Sequence, residues 1–90
     1  MNFGLYAIRD VKTGFMTPTI ENSDEAAARN FTHSVVNSDT ILYSFAQDFS
    51  LYKIGTYDSD SALVTPISPI QLILEGATAA RYNGGAAHAD

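Results

Sequence analysis

The apolar run Leu5-Tyr6-Ala7-Ile8, closed by the polar Arg9-Asp10, carries an aromatic and a branched side chain at the alternate positions Tyr6 and Ile8, and this predicts a β-strand. Asp10 to Gly14 follows with turn chemistry, the glycine being free to take a positive φ. Phe15 to Ile20 returns as a second strand. Pro18 near its end has no N–H to give to a ladder and suits an edge or a strand terminus. The period then changes. Asn22 stands where an N-cap would accept from first-turn amides, Glu25 completes the capping-box spacing, and Asp24 and Glu25 face the positive end of the helix dipole. Ala26-Ala27-Ala28-Arg29 favours helix, and Ala27, Phe31 and Val35 recur as one apolar stripe. A helix is predicted from Ser23 to Val36, ended by Asn37-Ser38-Asp39.

Ile41, Leu42, Tyr43, Phe45 and Phe49 make Thr40 to Phe49 apolar without a clean period. A short helical turn and a connector are expected there, with a strand as the alternative. Ser50 to Tyr57 reads as a third strand and Ala62 to Pro66 as a fourth, joined by the polar turn Asp58-Ser59-Asp60-Ser61. Ser68-Pro69 has the form of an N-cap followed by proline in the first helical position, which predicts a short helix from Pro69 to Glu75 that stops at Gly76. Residues 1–80 are therefore expected to form one domain, with 81–90 as a frayed tail of Asn, Gly, Ala, His and Asp.

There is an internal echo. Leu5-Tyr6-Ala7-Ile8 returns as Leu51-Tyr52-Lys53-Ile54, and Phe15-Met16-Thr17-Pro18 as Leu63-Val64-Thr65-Pro66. Chance likeness between strand-like strings is the competing account, since strands draw on few residue types. The expected fold is α+β, a four-stranded antiparallel sheet in ββα-ββα order with one main helix and a short C-terminal helix on one face.

Composition narrows the function. Ninety residues, 46% of them hydrophobic, suffice for one thin core. No apolar run approaches the roughly 18 residues that span a bilayer, and Met1-Asn2-Phe3-Gly4 lacks the basic and apolar regions of a secretory signal. The chain has no cysteine, consistent with a reducing compartment. Ten acids against five bases give a net charge of −5, which disfavours anionic membranes and handicaps nucleic-acid binding, because that rests on clustered bases.

The residues of catalysis are sparse. His33 lies on the predicted helix and His88 in the tail, too few for a zinc site, and a solvated helix-surface histidine is the plainer account of His33. Asp58-Ser59-Asp60 begins like an EF-hand loop but lacks its glycine and terminal glutamate, and Gly84-Gly85 has no Lys-Ser/Thr after it. No metal, cofactor or catalytic residue is expected. Aromatic residues are the richer set. If Tyr6, Ile8, Tyr52 and Ile54 point at the helices, then Arg9, Lys53 and Tyr57 lie on the open face, a small basic-aromatic patch able to stack and neutralise a single strand. Core filling is the bland alternative for these aromatics. Leu5 and Leu51, expected on that face too, and the free sheet edges favour a homodimer or higher oligomer.

Leu5-Tyr6-Ala7-Ile8-Arg9-Asp10-Val11-Lys12-Thr13-Gly14-Phe15, then Pro18, Asn22, Ala28-Arg29-Asn30-Phe31, and Gln47-Asp48-Phe49-Ser50-Leu51-Tyr52-Lys53-Ile54-Gly55-Thr56-Tyr57-Asp58 together resemble the small non-structural protein of gokushovirus-type microviruses, bacteriophages with single-stranded DNA. The likeness runs from residue 5 to about residue 75. It departs where the family has proline and this chain has Ala46, and where the family has a glycine in the second hairpin and this chain offers Ser59 or Ser61. The resemblance implies a non-enzymatic accessory protein of the host bacterial cytoplasm, absent from the mature virion shell. It further implies single-stranded DNA binding in genome replication or packaging, with phage replication or capsid-assembly proteins, or a host factor, as the alternative partners. The residues expected to bind DNA are Arg9, Lys12, Arg29, Lys53 and Tyr57.

Overall fold

The fold is that of a computed structural model, which describes residues 1–37 and 41–81. It is the expected α+β arrangement. Strands β1 (Asn2–Asp10), β2 (Gly14–Phe15), β3 (Thr19–Glu21), β4 (Phe49–Asp58) and β5 (Leu63–Glu75) form one antiparallel sheet in the order β2-β1-β4-β5, with β3 sharing the β2 edge of β1. Helix α1 (Asp24–Val36), the short α2 (Ile41–Ser44), a 3-10 turn (Ala46–Asp48) and a last helix α3 (residues 76–81) lie on one face. The expected stripe of Ala27, Phe31 and Val35 is buried there against Tyr6, Phe49 and Leu51 of the sheet, Ala46 of the 3-10 turn and Ala79 of α3. Burying such apolar side chains contributes about 1.5–3 kcal/mol each for the larger ones and holds the two layers together.

Local chemistry sets the element ends. Ser23, not Asn22, caps α1: its hydroxyl accepts from the Ala26 N–H at 3.1 Å. Gly14 takes the positive φ of the first turn, where buried Asp10 accepts from the Lys12 N–H at 2.9 Å and the Thr13 hydroxyl at 3.2 Å. The expected second strand is divided into β2 and β3, because Pro18 has no N–H for the ladder and the register against β1 changes across it. In the turn after β4, the Asp58 side chain accepts from the Asp60 N–H at 2.9 Å, and the left-handed conformation falls on Ala62.

The helix expected over Pro69 to Glu75 is corrected. Those residues continue β5, and the short C-terminal helix is α3 instead. Gln71, Leu72, Leu74 and Glu75 pair with Lys53, Tyr52, Leu51 and Ser50, so β4 has partners on both sides where it crosses the core. Local helix signals at Ser68-Pro69 lose to that pairing, and Ile73 and Leu74 pack on the core. Residues 67–70 bow out of the ladder between Pro66 and Gln71. Close approach of backbone makes two glycines necessary. A Cβ at Gly55 would meet the Thr65 carbonyl of β5, and one at Gly76 would run into the carbonyls of Ala46 and Phe49, where α3 starts. Of the expected tail, residues 82–90 lie outside the described residues.

Candidate interaction face

Antiparallel partners lie on the same face of a sheet, so register assigns every side chain. Ile8 pairs with Leu51 and Tyr6 with Lys53, and these four face the helices. Ala7 pairs with Tyr52, and Arg9 with both Ser50 and Phe15; these lie on the open face. A β-bulge opposite the Leu5/Tyr6 step inserts Ile54 without a partner on β1, after which Leu5 pairs with Gly55 and Phe3 with Tyr57.

The expected basic-aromatic patch is therefore broken up. Arg9 and Tyr57 are on the open face as expected, and Lys12 is exposed in the turn at its end. Lys53 is not there. Its ammonium lies 3.3 Å from the Asp24 carboxylate at the start of α1, on the helix face. Arg29 is on the outer surface of α1, lining a groove with His33, Val36 and Leu74 on the far side of the molecule. Leu51 is core rather than open face, and Tyr52 is open face rather than core. His33 is exposed as expected, its Nδ1 2.9 Å from the Asn37 amide.

On the helix face, Asp24 collects two partners. It accepts from the phenol of buried Tyr6 and pairs with Lys53. The hydrogen bond from Tyr6, then Lys53, hold the Asp24 carboxyl below its ordinary range. Burial and the same carboxylate push the Tyr6 phenol well above its ordinary value. This cluster ties the first turn of α1 to β1 and β4.

The open face is what remains for a partner. Along β1, β4 and β5 it presents Phe3, Leu5 and Arg9; Ser50, Tyr52 and Tyr57; and Val64, Leu72 and Glu75, while Ala7 on the same face is buried beneath its neighbours. Phe15 meets Tyr52 edge to face at 5.8 Å beside Arg9. Phe15, Val64 and Leu72 are each about half exposed, at 51%, 52% and 50%, and Ile20 at the β3 edge is similar. Exposed apolar side chains side by side on one sheet face make this face the candidate interaction surface. Leu72 and Glu75 escape the sequence reading because they fall inside the predicted helix. Among the described residues no group of His, Cys, Asp and Glu forms a metal cluster, and no helix is long and apolar enough to cross a membrane. Residues 3–79 match the family model described as Phage ORF5 protein. No curated protein and no solved structure gives a significant match.

Proposed function

The chain belongs to the Phage ORF5 protein family, and we propose that it serves the phage as a non-catalytic accessory protein whose open sheet face docks a protein partner. The observation that carries this reading is the composition of that face. It is broad, apolar and aromatic, and Arg9 and Glu75 are its only charged side chains along the paired positions of β1, β4 and β5. Depletion of charge at the centre with aromatic enrichment is the signature of a protein interface. Similarity to the microvirus non-structural protein supports placing this work in genome replication or packaging, in the host cytoplasm and outside the mature shell. The test is phage growth. Tyr52→Glu or Leu72→Glu, each folded by circular dichroism, sharply lowers progeny, whereas Ser34→Glu on the exposed surface of α1 leaves it unchanged. Unchanged progeny with a charged open face overturns the reading.

A second reading, single-stranded DNA binding, is favoured by one specific feature: the Phe15–Tyr52 ring pair beside Arg9. Aromatic faces beside bases are how sequence-tolerant single-strand binders work. Titration of a labelled single-stranded oligonucleotide at low salt tests it. Arg9→Ala weakens binding and Lys53→Ala, on the other face, does not. Absence of binding at low salt ends this reading.

A further inference from the structure

We propose that the occupant of the open face is a second copy of this chain, packed face to face about a two-fold axis running along β4. This rests on the reading of that face as a protein interface and names the partner. The edges and the face are treated differently. The outer edge of β5 carries Pro66 and Pro69 and the outward bow of residues 67–70, which oppose pairing with another strand. The open face has no such guard.

The arrangement of side chains on the face is self-complementary under that axis. A two-fold along β4 lays β1 over the partner's β5 and β5 over its β1, at the same level along the strands. Arg9, Ser50 and Glu75 form one row across β1, β4 and β5. Rotation about β4 therefore sets each Arg9 against the other copy's Glu75, twice. Neither residue has an ion pair among the described residues of its own chain. The next open-face row is Ala7, Tyr52 and Leu72; Ala7 is already buried within its own chain, so the half-exposed Leu72 meets the side chains that cover it, and the two Tyr52 rings face each other. The row beyond, Leu5, Gly55 and Pro66, sets Leu5 against Pro66, and in the last row Phe3 meets Val64 beside paired Tyr57 rings. Strands related this way run aligned, the common geometry of packed sheets. At about 4.8 Å between strands and about 3.4 Å per residue, the face offers on the order of 600 Å² per copy. The two copies together then reach the range of about 1,200 Å² at which specific interfaces begin.

Sedimentation equilibrium of the full chain tests this, with circular dichroism to confirm folding. The wild type is expected to be a dimer. Arg9→Glu or Glu75→Arg alone sets like charges together at two places and raises the dimer Kd by at least about tenfold. The two substitutions combined restore it to near the wild-type value. Glu75→Arg is the sharper arm, because it moves the net charge from −5 toward zero and would tighten any association governed by net charge alone. A wild type that stays monomeric at the highest soluble concentration overturns the proposal, as does a double variant no better than the singles. A monomer that binds the oligonucleotide overturns it in favour of DNA. If the wild type is monomeric while Leu72→Glu still blocks phage growth, the face serves a different protein, and the broader reading survives.

Discussion

Asp24 shows how one residue takes on a job that its position alone does not reveal. A carboxylate in the first turn of a helix offsets the dipole. Here it also accepts from the Tyr6 phenol and holds Lys53, both from the sheet. Its folded pKa is lowered, so the linked stability is complete at neutral pH and is lost as pH falls below the ordinary value near 3.8 and through the folded one. Asp24→Asn should therefore destabilise the protein near pH 6 and cost progressively less below about pH 4, as read by urea midpoints at a series of pH values. Tyr6 works in the opposite pH range. Its folded pKa is raised, so its contribution is complete below the ordinary value of 10.0 and declines as pH rises above it. Tyr6→Phe should cost about 1 kcal/mol at neutral pH, a hydrogen bond to a carboxylate discounted for the exposure of Asp24. It should also remove the extra loss of stability above pH 10, with tyrosinate absorbance and unfolding followed together. Of the expected site residues, Arg9 was legible because alternation along β1 assigns it, whereas Tyr57 shares the parity of Lys53 and reaches the open face only through the bulge at Ile54. Lys53 was not legible, because its face depends on which residue lies opposite.

That dependence belongs to the elements. The echo of Leu5-Tyr6-Ala7-Ile8 in Leu51-Tyr52-Lys53-Ile54 invites placing Tyr6 and Tyr52 on one face. Antiparallel register pairs Tyr6 with Lys53 and Ala7 with Tyr52, so corresponding members of the echo face opposite ways. A one-residue difference in register inverts a whole strand, and neither period nor propensity reports register. α1, the first turn and the α2–3-10 connector were legible from local signals: the Ala27-Phe31-Val35 stripe, Gly14, and an apolar run without a clean period. β5 was not, because Ser68-Pro69 is a good local helix start and only pairing with β4 outweighs it. Gly76 gives this level its own test. It admits α3 against the carbonyls of Ala46 and Phe49. Gly76→Ala should destabilise by about 1–3 kcal/mol through overpacking, despite the better helix propensity of alanine. A melting temperature at or above wild type would show that this junction has room to give.

Charge acts on the whole molecule, and it separates the two occupants of the open face. Each copy carries a net −5. Two such charges about 25 Å apart in water repel by about 4 kcal/mol before screening. The Debye length is about 30 Å at 0.01 M salt and about 8 Å at 0.15 M, so most of the repulsion that survives at low salt disappears at the higher value. The Arg9–Glu75 pairs act at contact distance, inside either Debye length, and change less. Dimerisation should therefore tighten by about tenfold between 0.01 and 0.15 M salt, a gain of about 1.4 kcal/mol. Nucleic-acid binding through Arg9 has the opposite sign, since bases that replace counterions on phosphates lose affinity as salt rises. Sedimentation of the chain alone and anisotropy of a labelled oligonucleotide, both taken at the two salt concentrations, read these signs independently. A dimer that weakens as salt is added would mean that attraction between charged groups, rather than apolar burial on the open face, holds the copies together.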